Sequence, residues 1–129
     1  AAERYCGSFI SPTTPHRKCS WSNLGEAAVD PDALAVYSCE QYACPGFPFR
    51  RFGRTTEITW VAGRRLTMPI QEKGEAYWLP AECSYLNFPL PGTERPVYMS
   101  TSTGLAAGVS LEDAMLAGLC EVIERDAVG

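Results

Sequence analysis

The sequence holds a single histidine, His16, and no apolar run near the roughly 20 residues that a membrane-crossing helix needs. With one imidazole, set in a proline-flanked stretch, and no nucleophile motif beside it, a histidine-based triad has nothing to complete it. A basic block is missing too. Lysine and arginine total 11 against 15 acidic residues, a formal charge of −4, which argues against nucleic-acid binding as the main activity. Arg50, Arg51 and Arg54 form the one tight basic cluster and read as a solvated loop. No basic, apolar, cleavable leader opens the chain, so a soluble, cytoplasmic protein with no membrane partner is expected.

Six cysteines (Cys6, Cys19, Cys39, Cys44, Cys83, Cys120) are scattered rather than packed into a disulfide framework, and reduced thiols are expected. A zinc site drawn from His16-x-x-Cys19 and Cys39-x4-Cys44 lacks the usual structural-zinc spacing. At 129 residues the chain is about one domain long. Its opening Ala1-Ala2-Glu3-Arg4 and its closing Val128-Gly129 both look cut inside helical turns. We therefore expect residues 1–129 to be one incomplete domain, with apolar surface that belongs against further chain.

Pro12, Pro15 and several hydroxyl residues make a loop of the stretch from Cys6 to about Asn23. Asp30 as N-cap and Pro31 at the first helical position predict a helix through Leu34, Tyr37, Gln41 and Tyr42, ended by Pro45-Gly46. Alternation in "TEITWVAG" predicts a strand around Ile58 and Trp60. Further strands are predicted at Ala76–Leu79, Ser84–Phe88 and from Val97 in "PVYMST", separated by prolines. The fold class is α+β (α/β), a mixed sheet flanked by helices. Ser110 caps a last helix in which Leu111, Met115, Leu119, Val122 and Ile123 share one side and Asp113, Ala117, Glu121 and Glu124 another.

The plain reading of Glu121 and Glu124 is a solvated helical face, since like charges at this spacing cost only about 0.2–0.5 kcal/mol. The same spacing lets two carboxylates share one divalent cation, and hard oxygen ligands suit Mg²⁺ held between protein and phosphates. A pair of residues, Glu3-Arg4, echoes Glu124-Arg125 at the other end of the chain. If Glu3 approaches, three carboxylates surround the metal, as phosphoryl transfer requires. In "STGLAAG", Gly104 and Gly108 allow close backbone approach before a helix N-terminus that favours anions, although the Lys-Ser/Thr pair of a Walker A loop is absent.

"STGLAAGVSLEDAMLAGLCEVIERDAV" resembles the signature of the YcaO family, and "AAERYCGSF" resembles the end of that family's earlier Ser-x-x-Glu-x-x-Glu-Arg motif. The intervening "ITWVAGRRL", "AYWLPAECSYLNFP" and "VYMSTSTG" are similar to its Trp-x-x-Gly and Trp-x-Pro-Ala segments. The resemblance implies a YcaO-like fold and an ATP- and Mg²⁺-dependent enzyme that phosphorylates peptide backbone amides, leading to an azoline or a thioamide in ribosomally made peptides. It places ATP and Mg²⁺ at Glu3, Arg4, Glu121, Glu124 and Arg125. Glu3, Glu121 and Glu124 would be the metal ligands, with Ser102, Thr103 and Gly104 as a possible nucleotide-contact turn. The first motif's Ser and leading Glu would lie before Ala1, so the segment alone is expected to be inactive while its parent is an enzyme. Implied partners are a precursor peptide, a leader-binding or sulfur-delivery protein, and a second copy in a homodimer. The competing expectation is a non-catalytic relative that recognises a peptide or acts as a scaffold subunit.

Overall fold

A computed structural model describes residues 7, 8, 10–34, 37–65, 76–92 and 94–128. Its centre is a three-stranded antiparallel sheet in the order β1 (His16–Cys19), β2 (Ile58–Arg64), β3 (Ala76–Pro80). The β-branched and aromatic alternation of β2 sends Ile58 and Trp60 to one face, where they meet Ala28, Phe52, Trp78 and Val97 in the hydrophobic core. Trp60 is wholly buried, and its indole N–H donates to the Cys19 carbonyl at 2.9 Å, which fixes β1 against the core. Register pairs Arg17 with Trp60 and Trp60 with Pro80. The outer edge of β3 is met by residues 28–29, where Val29 N–H donates to the Trp78 carbonyl at 3.0 Å.

β1 lies inside the stretch expected to be a loop. Three of its four residues are exposed, so it carries no hydrophobic alternation, and backbone pairing with β2 alone makes it a strand. The helix expected from Asp30 to Pro45 is two separate pieces. Asp30 does cap a turn, accepting from Asp32 N–H, but that turn is a 3-10 helix of only Pro31–Ala33. Ser38 then opens α1 (Cys39–Ala43) with a reciprocal capping box: Gln41 N–H donates to its hydroxyl and Gln41 Oε1 accepts from its N–H. A second strong N-cap eight residues after the first marks a new start rather than a continuation.

Neither Ser84–Phe88 nor the Val97 segment forms a strand. Pro80 ends β3 and leads into a single turn, α2 (Ala81–Ser84), with Ser84 bonded back to the Pro80 carbonyl at 3.0 Å. Asn87 follows in a left-handed conformation, φ 53°, which breaks extended structure. At Val97 the backbone bonds go to isolated partners: Arg50 N–H donates to Pro96 O at 2.9 Å, and Val97 N–H donates to the Glu82 carboxylate at 2.7 Å. With its N–H taken by a side chain, the segment bends at Val97 and Tyr98 and joins no strand.

The arginine cluster ties loops together. Arg50 reaches the carbonyls of Arg95 and Glu57 and the Glu94 carboxylate, while Arg51 stacks over Tyr42 at 4.9 Å. Arg54 binds Asp30 at 2.8 Å and Asp32 at 3.1 Å, and its own carbonyl accepts from both the N–H and the hydroxyl of Ser22. The five described cysteines are free thiols, and Cys6 lies outside the described residues.

Candidate nucleotide and metal site

The last helix, α3 (Leu111–Val128), begins where the sequence places it. Ser110 Oγ accepts from Asp113 N–H at 3.1 Å, and Glu112 and Asp113 fill the first turn, where the helix dipole favours acid. Ahead of it the chain turns at 102–105, with Leu105 N–H donating to the Ser102 carbonyl at 3.0 Å and Gly104 at φ +80°. Positive φ at the third turn position is what selects glycine there.

This turn docks on the middle of α3. A Cβ on Gly118 would sit 2.6 Å from the Gly104 carbonyl oxygen, and one on Gly108 would sit 2.5 Å from the Ala114 nitrogen. Backbone therefore meets backbone at both places, and Gly118 is the one buried residue of the helix. Gly104 N–H donates to Glu121 Oε2 at 3.1 Å. Arg125 completes the arrangement from one helical turn on, its Nε and a terminal nitrogen both 2.9 Å from Glu121 Oε1. Glu121 is half-buried by these contacts, while Glu124, Arg125, Thr103 and Gly104 are exposed and Ser102 is half-buried.

The structure thus brings Ser102, Thr103, Gly104, Glu121 and Arg125 together, with Glu124 beside them on α3. Glu3 and Arg4 lie outside the described residues. Among the described residues no group of three His, Cys, Asp or Glu side chains is placed to hold a metal, so the carboxylates available are Glu121 and Glu124. Their chemistry fits Mg²⁺, which takes one or two carboxylates and completes its shell with water and phosphate oxygens. Glu121 Oε2 keeps a further lone pair beyond its bond from Gly104, whereas Oε1 already faces two Arg125 nitrogens.

Two features near this region were not legible beforehand. Gly118 reads as a helix-weakening residue until its contact with Gly104 is seen. Glu82 is buried, 4% exposed, in the break between the strands expected at Ala76–Leu79 and Ser84–Phe88. The only hint in the sequence is a charge inside the otherwise apolar "YWLPAECSYL".

Comparison with known proteins accounts for the combination of sheet, glycine turn and Glu-x-x-Glu-Arg helix. The family model described as YcaO cyclodehydratase, ATP- and Mg²⁺-binding, matches residues 1–129, and the chain belongs to the YcaO family. Two solved structures share its fold over 98% of its length at a TM-score of 0.78. One is described as a heterocyclase in complex with substrate and cofactor (30% identity), the other as the heterocyclase TruD (29% identity). The chain spans only 18% and 19% of those two proteins. No protein of curated function matches it.

Proposed function

We propose that residues 1–129 form part of the ATP- and Mg²⁺-binding half of an enzyme that activates peptide backbone amides by O-phosphorylation. In this reaction the amide oxygen attacks the terminal phosphorus of ATP, the bond to the ADP oxygen breaks, and the carbonyl carbon becomes open to a nucleophile. A Cys, Ser or Thr side chain then attacks that carbon, the thiol or hydroxyl and the amide N–H give up their protons, and the former amide oxygen leaves as inorganic phosphate to give an azoline; external sulfide attacking in the same way gives a thioamide. The family and its heterocyclase relatives favour the azoline branch. A cytoplasmic setting, a precursor-peptide substrate, a leader-binding partner and a homodimer belong to the same proposal.

The observation that carries the reading is the joining of Gly104, Glu121 and Arg125 into one hydrogen-bonded unit at the turn before α3. Arg125 and the Gly104 N–H hold the Glu121 carboxylate in a fixed direction, so little ordering is left to do when a ligand arrives. Glu124 and Glu121 would hold the metal, with Glu3 as the third ligand, and Ser102 and Thr103 would offer hydroxyl donors to phosphate. Mg²⁺ there would neutralise charge that grows on the phosphate oxygens. Arg125, and Arg4 by analogy, would orient carboxylates or meet phosphate.

In the full-length protein, replacing Glu121 and Glu124 together by Gln is expected to weaken Mg-ATP binding at least tenfold and to abolish substrate-dependent phosphate release. Unchanged values for both would refute the assignment. A second reading is favoured by the same hydrogen bonds. Both Glu121 oxygens already have partners, so the residue also suits a purely structural clamp in a peptide-recognising or scaffold relative. Calorimetry showing tight precursor-peptide binding with no nucleotide binding would select it.

A further inference from the structure

A separate cavity of about 310 Å³ opens between α2, the turn after it and the segment around residues 96–100. Phe49, Phe88, Tyr98 and Met99 form much of its wall, and Glu82 lines it as its one charged residue. Glu82 Oε2 accepts from Val97 N–H and the carboxyl also feels the Tyr98 N–H, while Oε1 is buried and has no hydrogen-bond partner at ordinary distance among the described residues. A buried carboxylate oxygen left in this way is costly, so the fold holds it against a penalty that an arriving donor would relieve.

The nearest arginine does not supply that donor. Arg50 spends its guanidinium on the Arg95 carbonyl, the Glu57 carbonyl and Glu94. A carboxylate and aromatic residues lining one cavity favour a cation on an apolar stem over a neutral donor, since ring faces add to the attraction. The space is that of about ten water molecules at ~30 Å³ each, enough for a side-chain-sized guest.

We propose that this cavity is a binding site for a primary ammonium group on a short apolar stem, donating to Glu82 Oε1 between Phe49, Phe88 and Tyr98. The guest could be a free amine or the lysine side chain of a peptide. Glu82 is the titrating group, and Arg50, Glu94 and the neighbouring Cys83 thiol are the other ionisable groups around it. Burial is the main cause that raises the Glu82 carboxyl, and an ammonium group beside it would favour the charged form. The site is independent of the nucleotide reading and survives its failure.

The test uses full-length protein with n-butylamine, 1-butanol and Nα-acetyl-lysine methylamide as probes in calorimetry at pH 7. Saturable binding of butylamine, and at least tenfold weaker binding of butanol, are expected. Tighter binding of the lysine derivative than of butylamine assigns the guest to a peptide; the reverse assigns it to a free amine. Glu82→Gln should weaken amine binding at least tenfold. Leu90→Trp, which fills the cavity and leaves the carboxylate in place, should do the same and covers the case in which Glu82→Gln fails to fold. Equal affinity for butanol, no binding of either amine, or affinity unchanged in the folded variants overturns the proposal.

Discussion

Glu82 is the residue whose chemistry departs most from what its sequence neighbours prepare. Burial pushes its carboxyl up, the Val97 N–H, Arg50 and the Tyr98 N–H pull it back, and Glu94 pushes it up again. Because its pKa in the fold lies above the unfolded value, its contribution to stability is complete below that unfolded value, near 4.5. It is lost as pH rises through the raised one. Denaturation at a series of pH values should therefore show stability declining across this window, with a limiting slope of about 1.4 kcal/mol per pH unit from one proton. In Glu82→Gln that part of the slope should vanish; an identical pH profile would contradict the burial assigned to the carboxyl. The adjacent Cys83 thiol is pushed up to about 12, first by burial and then by Glu82, so it stays protonated and unreactive at neutral pH.

Among the elements, α3 and the turn before it are governed by glycine. Gly118→Ala weighs two opposing effects. Alanine in a helix interior gains about 1 kcal/mol over glycine. Its methyl would meet the Gly104 carbonyl oxygen at 2.6 Å, a backbone atom that cannot step aside, and overpacking of this kind costs about 1–3 kcal/mol. The clash should win, with a net loss of stability as the turn is pushed off Glu121, read as a lower melting temperature. A variant as stable as the parent would show that the turn and helix are not in contact.

Legibility followed the range of the interactions. β2, β3 and α3 announce themselves because alternation around Trp60 and Trp78, and the Ser110 cap, are local. β1 is invisible because His16, Arg17 and Lys18 gain strand geometry only by pairing with Val61, Trp60 and Thr59. The Val97 segment misleads because its composition is strand-like while its N–H is claimed by a carboxylate fifteen residues away. Spacing marks Glu121 and Glu124 as carboxylates able to share one cation, and the family resemblance adds Arg125, but the bond from Gly104 to Glu121 is tertiary.

At the scale of the whole molecule, α3 presents much of its apolar side to solvent: Leu111, Leu119, Val122 and Ile123 are 69%, 50%, 43% and 60% exposed. The expected stripe is present, yet the described residues cover little of it. Such a contiguous surface attracts other apolar matter. The 129-residue chain on its own should bind a hydrophobic dye strongly, and Leu119→Glu with Ile123→Glu should remove most of the fluorescence. Weak dye binding by the unsubstituted chain would mean that the stripe is covered.

No described helix is long and apolar enough to cross a membrane. What binds the irregular first half together is a small set of side chains, and Arg54 is chief among them. Its guanidinium is half exposed, which should make it an inviting site for trypsin. The carbonyl that the protease must attack, however, already receives two hydrogen bonds from Ser22 at 3.0 and 2.9 Å. Hydrolysis after Arg54 thus requires the loop to come away from Ser22 first, so an accessible basic residue becomes a protected scissile bond, and digestion there reports loosening of the loop rather than its exposure.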